Sequence, residues 1–164
     1  MKHCMDCGSL LTTKFLEKEG MIPYCNTCQK YCFPVFNTAV SMIIHDTTQD
    51  KILLIQQYGR PAYILVAGYI NRGEDAEHAV RRENKEEGGL DVDAIKFNKS
   101  EFFEPSNTLM LNFICHTSHP EHLVTNVEVD SYEWFSQDEA LQNIKPGRLA
   151  KRFLENYVHA FISE

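Results

Sequence analysis

Apolar positions along this chain switch between two periods, and the switches mark out its elements. Thr38 to His45 and Lys51 to Gln57 read as paired strands around the polar turn Asp46-Thr47-Thr48-Gln49-Asp50. Ala62 to Ala67 is a further apolar strand running into Gly68, and Ile95 to Phe103, Leu109 to Thr117 and Val127 to Phe135 complete a β-rich set. From Asp75 the period lengthens: Ala76, Ala79 and Val80 make a helical stripe that the pair Gly88-Gly89 stops. Between Gly147 and Ile162, Leu149, Phe153, Tyr157 and Phe161 recur at four-residue steps, which predicts a closing amphipathic helix. The pattern predicts an α/β fold, a mixed sheet clasped by helices.

Residues 1–34 are organised by cysteine instead. Cys4 and Cys7 form one Cys-x-x-Cys pair and Cys25 and Cys28 a second, with 17 residues between them, enough for a hairpin. Two knuckles of this kind turn four thiolates toward one tetrahedral site. A Zn²⁺ ion closed by four sulfurs is structural, having no open position for water. Two disulfides or a redox pair are the alternative readings. A ribbon this small buries no core, so the metal is expected to supply its folding energy. His3 and Cys32 lie close enough in sequence to substitute as ligands, but four cysteines suffice; Cys115, in an apolar run, reads as a buried small hydrophobe. The Phe33-Pro34 junction divides a zinc ribbon, 1–34, from a second domain, 35–164, and the lack of a low-complexity linker predicts that the two pack together.

Composition narrows the function classes. At 164 residues, 43% hydrophobic and 24% charged, the chain suits one soluble core with a small appendage. It has no apolar run of membrane-spanning length and no signal segment, so no membrane partner and a cytoplasmic location are expected. The net charge of −7 opposes bulk nucleic-acid binding and fits a protein that gathers acids around divalent metals. Lys145, Arg148, Lys151 and Arg152 cluster late in the chain, either as a solvated helix face or as an approach to phosphates.

The helix starting at Asp75 carries the chemistry. Glu83, Glu86 and Glu87 share one face, and like charges three and four residues apart destabilise a bare helix by roughly 0.2–0.5 kcal/mol per pair. Mg²⁺ or Mn²⁺, bound by carboxylate oxygens and by substrate phosphates, would offset that repulsion. Arg82 precedes the acidic face and can brace Glu86, or Glu74 from the preceding loop, and Glu74 reads as an orienting residue. The competing reading is an ordinary solvated face with Arg81, Arg82 and Lys85 interleaved. Gly68, Glu74, Arg82, Glu83, Glu86, Glu87 and Gly89 fall at fixed offsets that chance would produce roughly once in a billion starting positions. With Leu90 they reproduce the pattern Gly, five residues, Glu, seven residues, Arg-Glu-apolar-any-Glu-Glu-any-Gly-apolar, and so resemble the Nudix box. Asn84 departs from it. Four residues after Val80 it faces inward, where the family has an aliphatic residue, and it needs hydrogen-bond partners there.

A cysteine ribbon ahead of this box is similar to the NADH pyrophosphatase branch of the Nudix family, which includes enzymes that remove NAD caps from RNA. The resemblance implies a Nudix α/β/α sandwich and a homodimer. It implies that Glu83 and Glu87 bind Mg²⁺ or Mn²⁺, that Glu86 supports them, and that a later glutamate completes the site. Counting back from Trp134-Phe135 places that residue at Glu128, on a strand across the cleft; a solvent-facing strand residue is the alternative. Tyr69 stands where relatives stack an aromatic on a substrate ring, and Phe33 where they line the pocket with tyrosine, although both could serve as core. The branch's motif Ser-Gln-Pro-Trp-Pro-Phe-Pro-any-Ser, followed by Leu-Met, aligns with Ser100 to Thr108 ahead of Leu109-Met110. Ser100 and an aromatic at Phe103 survive, Glu101 replaces a glutamine, and most prolines are lost.

The implied activity is hydrolysis of a nucleoside diphosphate linked to another moiety. NAD(H), yielding nicotinamide mononucleotide and AMP, comes first, with ADP-ribose, FAD, nucleoside triphosphates and NAD-capped RNA as further substrates. The alternative from another class is a non-catalytic nucleotide sensor with a zinc-ribbon adaptor.

Overall fold

The computed structural model describes residues 2–162, with side chains through residue 160, so Phe161 of the predicted stripe lies outside the described side chains. The chain divides into two compact units, Met1–Phe36 and Asn37–Glu164.

The first unit is a three-stranded antiparallel sheet of β1 (Thr12–Leu16), β2 (Gly20–Cys25) and β3 (Lys30–Tyr31). Its interior consists of Cys4, Cys25 and Cys32, with Leu11 and Cys28 packed against them. With sulfur atoms in place of large side chains, the unit has little apolar area to bury.

The second unit is built on a six-stranded mixed sheet in the order β7-β8-β4-β5-β9, with β6 paired to β4. Its strands are β4 (Asn37–Asp46), β5 (Lys51–Gln57), β6 (Val66–Tyr69), β7 (Ala94–Phe103), β8 (Thr108–Thr117) and β9 (Val129–Phe135). β4 runs parallel to β8 over ten residue pairs, and the other pairings are antiparallel. The expected β4–β5 hairpin pairs only beside its turn, at His45↔Ile52 and Asp46↔Lys51. Beyond that the strands part, and β6 takes over the same edge of β4 from Ala39↔Tyr69 to Met42↔Val66. The predicted strand at Ala62 to Ala67 is therefore displaced to Val66–Tyr69, with Ile64 reaching Ile55 through an isolated bridge.

Both sheet faces are covered, which explains why β4 is buried almost throughout. Val40, Met42 and Ile44 face α1 (Ala76–Gly88) through Ala79 and Val80. Ile43 faces the other way, toward Phe153, Leu154 and Tyr157 of α3 (Leu149–Ile162) and Ala140 of α2 (Gln137–Asn143). The pleat alternates sides while each face finds a helix, giving an α/β/α sandwich. The short helix α2 was missed by hydrophobic periodicity. Its signal is the capping box in which Ser136 and Glu139 exchange side-chain and backbone hydrogen bonds. No helix among the described residues is long and apolar enough to cross a membrane.

Candidate active site

Local capping fixes α1. The Asp75 side chain accepts from the backbone N–H of His78 at 2.8 Å. Gly89 ends the helix at φ +62°, and its N–H returns to the Lys85 carbonyl at 3.0 Å. A side chain at Gly89 would also press on the Val124 backbone, so helix end and following loop require glycine together. The cap positions the carboxylates of the last two turns, of which Glu83 and Glu87 are buried and Glu86 is exposed.

Arg82 is the hub of the acidic face. Its Nε and Nη2 donate to both oxygens of Glu74 at 2.8 and 2.9 Å, its Nη1 to Glu83 at 2.6 Å and Glu86 at 3.0 Å, and its Nη2 also to the Tyr69 carbonyl at 3.0 Å. With the Asn71 N–H added, this pairing pulls the Glu74 carboxyl down to about 2. Glu74 is thus fully engaged in holding Arg82. Glu83 lies directly over Gly68, where any Cβ would land on its carboxylate. A glycine is required there so that the acid can approach the strand backbone.

Glu87 is 6% exposed. Burial pushes its carboxyl up to about 7, against a 3.0 Å hydrogen bond from the Gln57 amide, and the charges of Glu83, Glu128 and Glu86 push the same way. Opposite stands Glu128, whose Oε2 accepts from the Tyr58 hydroxyl at 2.8 Å. The sequence placed Glu128 on a strand, but it lies in the turn before β9, which begins at Val129. Asn126 explains the difference: its side chain accepts from the Glu128 N–H at 2.9 Å, forming a turn that delays the strand.

These groups line one cleft of about 530 Å³, together with Tyr69, Asn71, Thr108 and Met110. Its acids are an all-oxygen donor set of the type that hard divalent cations select, and a cation would relieve the mutual repulsion that adds to the burial of Glu87. They are not drawn together, however. Among the described residues, the sets that bring three or more candidate ligand atoms within 4.8 Å of one another are Cys4/Cys7/Cys25/Cys28 and His119/Glu121/His122. In the cleft each acid instead has its own donor: Arg82 for Glu83, Gln57 for Glu87 and Tyr58 for Glu128.

Tyr69 is 57% exposed on the cleft wall. Phe33 belongs to the first unit and is half exposed there. Ser100 and Glu101 do not line the cleft. Glu101 is ion-paired with Arg152 of α3, so its charge is already neutralised away from the acids. Phe103 packs in the α3-side core and lines a second pocket of about 390 Å³, together with Lys145 and Arg148, that shares Tyr58, Ala67 and Met110 with the cleft. Of the basic cluster, Lys151 instead donates to the Leu141 carbonyl at 3.0 Å.

Sequence reading missed Gln57 and Tyr58. Both follow an irregularity in the β5–β9 register at Gln56/Gln57, and Tyr58 sits at φ +55°, an uncommon conformation for a bulky residue. Neither carries a local motif, because their partners Glu87 and Glu128 lie 30 and 70 residues away.

All six cysteines are free thiols, five in the first unit and Cys115 in the second. Cys4 and Cys28 Sγ are 3.9 Å apart, and Cys7 and Cys25 Sγ 3.5 Å. Tetrahedral Zn–S bonds of about 2.3 Å would separate sulfurs by about 3.8 Å. These two separations lie near that value, and all four sulfurs lie within 4.8 Å of one another, a set that suits such a metal.

The NUDIX domain family model matches residues 35–157. The chain is 32% identical over 142 residues to Nudix hydrolase 19, chloroplastic, of Arabidopsis thaliana, covering 81% of this chain and 32% of that protein. It is 25% identical over 157 residues to the NAD-capped RNA hydrolase NudC of Pasteurella multocida, covering 94% of this chain and 59% of that one. This chain thus spans between about a third and three-fifths of the length of these curated relatives. The crystal structure of a NUDIX hydrolase from Nitrosomonas europaea superposes with a TM-score of 0.59 at 19% identity, covering 97% of this chain and 93% of that one, which is a likeness of fold.

Proposed function

Because the chain belongs to the Nudix family, we propose that it is a Mg²⁺- or Mn²⁺-dependent pyrophosphohydrolase that cleaves a nucleoside diphosphate linked to a second moiety, NAD(H) first among them. One observation carries the reading: carboxylates from α1 and from the turn before β9 line a single cleft beneath Gly68. Glu83, Glu87 and Glu128 would supply the oxygen donors for the cation. An ion held there would neutralise the diphosphate and acidify the attacking water.

The chain's own residues do the rest. Arg82 fixes Glu74 and restrains Glu83, Glu86 anchors Arg82 from the solvent side, and Gln57 and Tyr58 orient Glu87 and Glu128. A carboxylate of this set accepts the proton of the attacking water. Tyr69 offers its exposed ring to a base, an interaction worth roughly 1–3 kcal/mol. Phe103 serves from the adjoining pocket. Ser100 and Glu101 have no part in this site.

Cys4, Cys7, Cys25 and Cys28 hold a structural Zn²⁺, and their free thiols suit a reducing, cytoplasmic setting. The chain acts as a homodimer, and NAD-capped RNA joins its substrates, as the name of the Pasteurella relative indicates for that protein. The test is incubation of the zinc-loaded chain with NAD, NADH, ADP-ribose, FAD and nucleoside triphosphates in Mg²⁺ and in Mn²⁺, with products separated by chromatography. AMP together with nicotinamide mononucleotide is the expected result. Intact substrates throughout, from a folded zinc-loaded chain, would overturn the proposal.

A further inference from the structure

Between β8 and β9 the chain makes a 3₁₀ turn, Pro120–His122, that places two imidazoles around one carboxylate. His119 Nδ1 lies 3.1 Å from Oε1 of Glu121, and His122 Nε2 lies 3.7 Å from the same oxygen. The two rings stack, with centroids 5.1 Å apart and planes inclined by 16°. The three candidate ligand atoms all lie within 4.8 Å of one another.

That spacing is chemically specific. Bonds of about 2.0–2.1 Å from zinc to nitrogen and oxygen, set tetrahedrally, separate ligand atoms by about 3.3–3.4 Å. The two distances to Glu121 bracket this value. We propose that His119, Glu121 and His122 form a binding site for one zinc-like first-row transition-metal ion, of a different kind from the four-cysteine cluster and the carboxylate cleft. Two imidazoles select such ions over magnesium or calcium. All three side chains are more than 60% exposed, so water completes the coordination, and binding is weaker and more exchangeable than in a closed site.

The turn is held in place before any ion arrives. Pro120 opens it, the His119 N–H donates to Thr117 Oγ1 at 3.2 Å, and the next residue, Leu123, is buried in the α1-side core. Val124 N–H then bonds the Gly88 carbonyl at 2.9 Å, and the Asn126 N–H reaches the Glu87 carbonyl at 3.4 Å. The site therefore sits on the segment that runs into Glu128. An ion bound there staples this segment, and on the proposed reading of the cleft it also steadies one wall of the active site.

The binding test does not depend on activity. The full chain, with its four-cysteine site already loaded with zinc, is titrated with NiCl₂ and separately with ZnCl₂ by calorimetry, while imidazole resonances are followed by NMR. Besides any ion taken up by the carboxylate cleft, one equivalent is expected that shifts only the His119 and His122 imidazoles and that the double variant His119→Ala/His122→Ala loses. Affinity should fall about tenfold or more in His119→Ala and in His122→Ala, and stay unchanged in His78→Ala. Circular dichroism should match the parent, since the side chains are exposed. Absence of shifts at His119 and His122, or the same total uptake by the parent and the double variant, would overturn the site. Neither result bears on whether the carboxylate cleft hydrolyses diphosphates.

Discussion

Arg82 grips Glu74 at two points, Nε to Oε1 at 2.8 Å and Nη2 to Oε2 at 2.9 Å, while Nη1 donates to Glu83 and Glu86 and Nη2 also to the Tyr69 carbonyl. A planar fork makes this geometry and a point charge does not. Arg82→Lys should therefore lower stability by about 1.5–3 kcal/mol, the range for hydrogen bonds to charged groups, and reduce turnover by releasing Glu83. Urea unfolding and steady-state kinetics check both. Unchanged stability would mean that the fork is not what holds the loop before α1.

Glu87 makes the stability depend on pH. Its carboxyl stands at about 7 in the folded chain, against an ordinary value near 4.5. The folded state thus holds a proton that the unfolded state has lost, and the stability linked to this group is complete below about pH 4.5 and lost as pH rises through 7. In buffer without Mg²⁺ or Mn²⁺, Glu87→Gln should be about as stable as the parent at pH 5 and more stable than it at pH 8. Adding Mg²⁺ at pH 8 should raise the melting temperature of the parent and leave that of the variant nearly unmoved. Parallel pH profiles for the two proteins would contradict this.

Asn84 is 1% exposed. Its Nδ2 donates to the Val80 carbonyl at 2.8 Å and lies 3.8 Å from Cys115 Sγ, while its Oδ1 has no partner. Asn84→Leu keeps the branching and removes the stranded oxygen, so a gain of about 1–2 kcal/mol is expected in urea titration. A loss would show that the amide contributes more than its one good hydrogen bond.

Chelation should act on one unit only. Removal of the ion from Cys4, Cys7, Cys25 and Cys28 is expected to abolish amide-exchange protection in β1 to β3, whose interior is mainly sulfur, and to leave β4, β8 and α3 protected. Protection persisting in β2 after zinc release would show that the strands hold without metal.

What the sequence disclosed follows from how local each feature is. The α1 acids, Arg82 and the Gly89 stop were legible because one helix fixes their spacing, and the cysteine pairs because each knuckle is four residues long. Register placed Glu128 on a strand, and the turn that carries it instead was hidden in the Asn126 side chain. Gln57 and Tyr58 could not be found, since each acts on an acid distant in sequence and neither belongs to a motif. The alignment that brought Ser100 and Glu101 to the substrate carried no information about α3, whose Arg152 takes the Glu101 carboxylate. The Ser136–Glu139 capping box, by contrast, was in plain view for α2.

The most direct measurement is AMP release from NAD in Mn²⁺ by the zinc-loaded parent and by Glu87→Gln, side by side, with folding of both confirmed by circular dichroism. Release by the parent and its loss by about a hundredfold or more in the variant, some 2.7 kcal/mol or more of barrier, is the expected result. Equal release by the two would contradict the assignment of the cleft carboxylates to the chemistry.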